Sequence, residues 1–234
     1  MSLIISNNPQ GTPEWKADRA GHATSSKFQS GILAKGKAAG SESVGRANYR
    51  LQLAVERITG RPDEDGYKND AMEQGHVFEE TVKPLLETRH GLMIDSVGFV
   101  KNDRIPGVGC SPDGRIMQLS SSLQRELNVK GPGGVEVKSA VGSTAHAEAL
   151  ENGMPSKYAA QVQGNMWITE SEWWLFVSFD PRFPEGIDAY IQLVRRDDAY
   201  CRMLDAEVRK FLAEVGVEES RFRELAKSGG SINA

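Results

Sequence analysis

The segment Gly134-Val135-Glu136-Val137-Lys138 constrains this chain more than any other. Side chains alternate across a strand, so a strand here places Glu136 and Lys138 on one face and Val135 and Val137 on the other. A carboxylate and an ammonium are then aimed together from an element whose opposite face belongs in a core. Upstream, Ser111-Pro112-Asp113-Gly114 carries a second carboxylate. If the segment holding Asp113 pairs alongside, two oxygen ligands for a hard cation stand next to a positive charge.

Each half also has a plain structural explanation. Ser-Pro-Asp-Gly is a good turn sequence, because Pro fixes one dihedral while Asp and Gly tolerate the next positions. Alternating charges on a solvated strand face are common. The combination carries more weight, because both precede a helical stretch containing Ala160-Gln161-Val162-Gln163. Glu79, in Gly75-His76-Val77-Phe78-Glu79-Glu80, is either a surface glutamate or, if its face turns inward, a third carboxylate. Gln161 is either a polar helix position or a hydrogen-bonding neighbour of the lysine or of an attacking water. Taken together, these groups suit metal-assisted phosphodiester cleavage.

At 234 residues the chain can bury a full core, and one domain over residues 1–226 is expected, with a small, polar tail over 227–234 expected to be disordered. Apolar residues at 39% and charged residues at 26% are the balance of a soluble globular protein. No run approaches the roughly 20 apolar residues of a membrane span, and Met1 to Gln10 lacks the features of a signal peptide. Cys110 and Cys201 make no disulfide framework, so a reducing, cytoplasmic setting is expected.

His22, His76, His90 and His146 show no zinc-ligand spacing, and zinc is not expected. Any tryptophan could stack on bases, but Trp167, Trp173 and Trp174 fall where a helix and a strand need a core. No phosphate-binding Gly-x-x-x-x-Gly-Lys-Ser/Thr loop and no Gly-x-Ser-x-Gly elbow is present. Charge is unevenly spread: residues 1–60 hold eight Lys/Arg and four Asp/Glu, a net of +4, leaving 20 minus 28, or −8, for the rest. That asymmetry is either chance or a sign that a polyanion is held at the basic end or within a shielded channel.

A short helix is predicted to follow Gly11-Thr12-Pro13 and run through Arg19, with a basic, aperiodic loop over 30–42. Tyr49, Leu51, Leu53, Val55 and Ile58 predict a helix with one apolar side over 44–58, closed by Gly60 and Pro62. A second helix is predicted over 70–89, with Asp70 and Glu73 at its cap, a kink at Pro84 and a stop at Gly91. Strand patterns over 93–100, 107–110 and 115–119 predict an antiparallel meander, followed by a polar excursion over 120–133. A Ser156-capped helix to Thr169, strands over 173–179 and 189–194, and a helix over 197–215 complete the pattern.

In this order the motifs resemble those of the phage lambda-type exonucleases, or YqaJ-like viral recombinases, of the PD-(D/E)XK nuclease superfamily. The resemblance runs from about Trp15 to Val217. It rests on Trp15 to Arg19 with Thr24-Ser25-Ser26, Gly75 to Glu79, Cys110-Ser111-Pro112-Asp113-Gly114, Glu136-Val137-Lys138, Ala160 to Trp167, and Phe179-Asp180-Pro181-Arg182. The loop Gly31–Gly40 and the excursion Ser120–Gly133 depart from the family pattern.

The resemblance implies an α/β fold with a PD-(D/E)XK restriction-endonuclease-like core, a central mixed, mostly antiparallel sheet flanked by helices. It implies a processive 5'-to-3' exonuclease on double-stranded DNA that needs Mg2+, with Mn2+ as a substitute and two ions per site. Mononucleotides would be released and 3' single-stranded tails left for recombination by strand annealing. Asp113, Glu136 and the Val137 carbonyl would be metal ligands, with Glu79 as a further candidate. Lys138 would activate the water, with Gln161 in support. Arg19, Ser26 and Ser111 would hold the 5' phosphate. A ring-shaped homotrimer around DNA and a single-strand annealing partner are implied as well. The rivals are a structure-selective or restriction-type endonuclease on the same fold, against which Arg19 and Ser26 speak, and a silent DNA-binding or assembly module. The intact Asp113, Glu136 and Lys138 speak against the module.

Overall fold

A computed structural model of the chain describes residues 3–38, 40–63, 81–139 and 144–228. Two four-stranded sheets form its centre. The first has the order β1 (Leu3–Ile5), β3 (Val100–Asn102), β4 (Val108–Cys110), β2 (Ala23–Thr24); the second runs β5 (Gly114–Ile116), β6 (Gly133–Ser139), β7 (Trp173–Phe179), β8 (Ala189–Arg195). Each sheet contains one parallel pair, β2 with β4 and β6 with β7, and is otherwise antiparallel. The expected mixed, mostly antiparallel α/β architecture is therefore present, divided between two sheets.

The predicted meander is divided as well. Strand β4 pairs with β3, but β5 pairs with β6 in the other sheet, and only an isolated bridge, Asp95 with Arg115, links 93–99 to β5. Pro112 explains the break, since it has no N–H to continue a ladder beyond Cys110. The stretch Ser111-Pro112-Asp113 thus carries the chain from one sheet to the other. The Gln10 side-chain amide pins it by donating to the carbonyls of Pro112, at 2.8 Å, and Val97, at 3.0 Å.

Helices α1 (Pro13–Arg19), α2 (Val44–Thr59), α3 (81–90), α4 (Ser121–Leu127), α5 (Ala145–Asn152), α6 (Ala159–Thr169) and α7 (Asp198–Lys227) surround the sheets. Helix α1 starts where the sequence indicates, with Thr12 Oγ1 accepting the Trp15 N–H at 3.2 Å and Pro13 in the first turn. Helix α2 closes at Gly60, whose φ of 65° suits glycine. It buries Tyr49, Leu53, Ala54 and Glu56 and leaves Leu51, Val55 and Ile58 exposed, so only part of the predicted apolar side faces the core. The cap at Asp70 and Glu73 lies outside the described residues.

Two helices, α4 and α5, were not legible in the sequence; their sequences are short and largely polar. Helix α7 runs to Lys227, well past the predicted end near Val215. Its later turns carry no fully buried residue but pack Phe222 on the core and pair Arg223 with Glu219. Of the expected tail, residues 229–234 lie outside the described residues.

Alternation in β6 decides how the layers stack. Val135 and Val137 join Trp173, Leu175 and Val177 against Val82 and Leu86 of α3. Trp174 and Phe176 face the opposite way, packing with Val162 and Met166 of α6 and Ala149 of α5. Helix α6 also sends Ala160, Trp167 and Ile168 into a third cluster with β4, α2 and α7. A helix buried on nearly all sides sits between both sheets, and its few polar residues must find partners there. The three tryptophans assigned to the core are buried.

Candidate active site

Strand β6 sets Glu136 and Lys138 on the α6 face of the second sheet, as the alternation predicts. Glu136 is 1% exposed, so its carboxylate must be satisfied from within. Oε1 accepts from Lys138 Nζ and Gln161 Nε2, each at 2.5 Å, and Oε2 accepts from Asn165 Nδ2 at 3.0 Å. Burial, foremost, pushes the Glu136 carboxyl up to about 7; repulsion from Asp113 adds to the rise, and Lys138 opposes it.

Asp113 enters from the bend before β5. Its Oδ2 accepts the Val137 N–H at 2.6 Å, a bond that fixes the β5–β6 register and brings the two acidic segments together. Lys138 Nζ also stands 5.4 Å from the centroid of the Tyr158 ring, which stacks on Phe176. The structure thus brings Asp113, Glu136, Lys138 and Gln161 into one cluster. Glu79 lies outside the described residues.

The donors here are hard oxygens: two mutually repelling carboxylates beside an ammonium. A buried carboxylate with a raised proton affinity is a fitting ligand, because a divalent cation would offset both the burial cost and the repulsion by Asp113. Among the described residues, no group of three or more His, Cys, Asp or Glu side chains is arranged to hold a metal.

A second polar cluster lies two residues before Asp113. Ser111 Oγ accepts from Arg19 Nη1 at 2.8 Å and from Trp15 Nε1 at 3.0 Å. Trp15 and Arg19 are one turn apart on α1, and the guanidinium carbon sits 4.3 Å from the Trp15 ring centroid. Burial lowers the Arg19 pKa, yet a guanidinium keeps its charge. Parallel pairing of β2 with β4 sets Thr24 beside Gly109, so Ser26 and Ser111 leave the same end of neighbouring strands. Ser26 is exposed, and its hydroxyl lies 3.3 Å from Thr24 Oγ1.

Helix α2 braces this segment from behind. Tyr49 OH accepts the Thr24 N–H at 2.9 Å, and Glu56 Oε2 accepts the Gly21 N–H at 2.7 Å. Cys110 is fully buried between the clusters, and burial pushes its thiol up to about 12, so it is a packing residue and no nucleophile.

The family model of the YqaJ-like viral recombinase domain matches residues 14–172, which include both clusters. The chain belongs to this family. Over 69 residues, 26% of its own length and 77% of the relative's, the chain is 36% identical to the uncharacterized protein ExoD of Escherichia coli (strain K12). Its fold is similar to that of the alkaline exonuclease LHK-Exo from Laribacter hongkongensis, including a structure in complex with dAMP. The TM-score is 0.76 at 29% identity, covering 93% of this chain and 99% of that one. A phage-related exonuclease from Haemophilus somnus 129PT shares the fold at a TM-score of 0.60 and 14% identity, over 87% of this chain and 95% of its own. The architecture of this YqaJ-like domain is that of the lambda-exonuclease-like nucleases of the PD-(D/E)XK fold.

Sequence reasoning gave no role in the site to Gln10 or Asn165, and read Trp15 only as part of the motif that opens the resemblance. Asn165 had a readable signal, since it stands four residues after Gln161 and so shares its helix face. Gln10 had none, because its partner Pro112 lies 102 residues away, and no local pattern ties Trp15 to Ser111, 96 residues away.

Proposed function

We propose that this protein is a 5'-to-3' exonuclease on double-stranded DNA, releasing 5' mononucleotides and leaving 3' single-stranded tails for recombination by strand annealing. The observation that carries this is the bond from Arg19 to Ser111 two residues from Asp113, which ties a guanidinium suited to an anion to the carboxylate cluster. Family membership and the likeness to an alkaline exonuclease crystallised with dAMP support it.

Arg19 offers a planar, permanently charged fork to a terminal phosphate. Ser111 already accepts two hydrogen bonds, so its hydroxyl hydrogen is what it has left to give, and a phosphate oxygen is a suitable acceptor. Ser26 stands at the same sheet end to add another donor. A phosphate seated there fixes how far the scissile bond lies from Glu136 and Lys138, which favours cutting at an end.

Asp113, Glu136 and the Val137 carbonyl would hold Mg2+, with Mn2+ able to replace it and two ions per site; bound there, the metal supplies Lewis acidity at the phosphate and a more acidic water. Lys138 would orient an attacking water and balance the charge that develops on the phosphate. Gln161 holds Glu136 in place, and Glu79 is a further candidate ligand. The domain would span residues 1–226 and work as a ring-shaped homotrimer in the cytoplasm, with a single-strand annealing protein as its partner. No helix among the described residues is long and apolar enough to cross a membrane.

The test pairs 5'-labelled linear duplex with closed circular duplex in Mg2+. Release of labelled mononucleotide from the linear substrate with an intact circle is expected. Cutting of the circle would assign an endonuclease instead.

A further inference from the structure

Asn165 is fully buried, and both ends of its amide are used. Nδ2 donates to Glu136 Oε2 at 3.0 Å, while Oδ1 accepts from Ser25 Oγ at 2.6 Å. The carboxylate can only accept, so it takes the NH2 side and leaves the carbonyl for the serine hydroxyl. Ser25 is itself 3% exposed and opens the helical turn Ser25–Lys27, which carries the exposed Ser26.

The same contact is tight in its packing. A Cβ at Gly164 would stand 2.8 Å from the Phe28 ring and 3.2 Å from Ser25 Cβ, so α6 and this turn touch with no slack. The two carboxylates of the cluster are thus each tied to one hydroxyl at the sheet end. Asp113 reaches Ser111 through two residues of backbone, and Glu136 reaches the neighbour of Ser26 through Asn165 and Ser25.

We propose that Asn165 is a positioning residue that couples end recognition to cleavage, holding the Glu136 carboxylate and the Ser25–Lys27 turn in one register. It rests on the assignment of Ser26, Ser111 and Arg19 to the 5' phosphate. A phosphate seated at Ser26 is then set at a fixed reach from Glu136. Loosening the link frees the turn to shift while Arg19 still attracts the phosphate, so the loss falls on turnover at phosphorylated ends and less on their binding.

The experiment measures kcat and KM on linear duplex with 5'-phosphate and 5'-hydroxyl ends for wild type, Asn165→Ala, Ser25→Ala, the double variant and Arg19→Ala. Wild type is expected to favour the phosphorylated end. Ser25→Ala removes one buried hydrogen bond and should lower kcat on that end by about 10-fold, and Asn165→Ala removes two and should lower it by at least as much, with KM little changed and the preference reduced in both. The double variant should lose no more of the preference than Asn165→Ala alone, because both act through one link. Arg19→Ala should instead raise KM for the phosphorylated end.

Equal losses on both ends in Ser25→Ala and Asn165→Ala, with the preference kept, would overturn the coupling; if Arg19→Ala still abolishes the preference, the end-pocket assignment survives. No preference in wild type would overturn both. Ser25→Ala leaves Lys138, Gln161 and Asn165 all donating to Glu136, and it carries the test by itself should Asn165→Ala not fold.

Discussion

Arg19 Nη1 and Ser111 Oγ lie 2.8 Å apart, bridging residues 92 positions apart in the chain, and Trp15 Nε1 fills the second lone pair of the same oxygen at 3.0 Å. The serine hydroxyl is thereby turned into a donor, beside a guanidinium stacked on an indole. Arg19→Lys keeps the charge but loses the fork and the stacking. A fall of about 10-fold in kcat/KM for 5'-phosphorylated duplex is expected, with little change for a 5'-hydroxyl end. Steady-state kinetics on the two ends check this, and equal losses on both would remove Arg19 from a phosphate pocket.

Lys138 stands 2.5 Å from Glu136 Oε1, with its side chain 26% exposed. Lys138→Ala is expected to lower cleavage by at least about 100-fold, as loss of a group acting on the attacking water does, while DNA binding changes only a few-fold. Cleavage assays beside binding by fluorescence anisotropy in Ca2+ separate the two. Degradation at the wild-type rate would refute the role.

The Glu136 carboxyl gives a pH dependence of known sign. Burial raises it from 4.5 to about 7, so between those values the folded chain holds a proton that the unfolded chain releases. That contribution to stability is fully present below about pH 4.5 and is lost as pH rises through about 7, for a change of about 3 kcal/mol at most. In EDTA, the urea midpoint of wild type should therefore fall between pH 5 and 8 more steeply than that of Glu136→Gln. Added Mg2+ should restore wild type at pH 8 and not the variant. Parallel pH profiles in EDTA would show that Glu136 is not the group responsible.

Gly134 faces the Trp174 ring, and a Cβ there would fall 2.3 Å from two of its carbons. Gly134→Ala is expected to destabilise the protein by about 1–3 kcal/mol, because the buried indole has little room to retreat. Urea unfolding followed by tryptophan fluorescence measures it. An unchanged midpoint would mean that the ring and strand are not packed as described.

Much of the cluster was legible because its chemistry follows local rules. A strand's two-residue period is enough to put Glu136 and Lys138 on one face and two valines on the other, and a helix's period puts Asn165 with Gln161. Proline chemistry likewise marks Ser111-Pro112-Asp113 as a break, although not what the chain does next. The order of these motifs was sufficient to point to the family.

The sequence by itself determined which face of β6 carries the charged pair, where α1 begins and which tryptophans are core, since each depends on residues close in the chain. Only the tertiary structure decided that β5 joins β6 and not β4, that α6 turns Gln161 and Asn165 onto Glu136, and that Arg19 and Trp15 meet Ser111. Those outcomes depend on which strands pair and how buried helices rotate. They are set by burial and hydrogen-bond satisfaction summed over distant segments, and no local pattern encodes them.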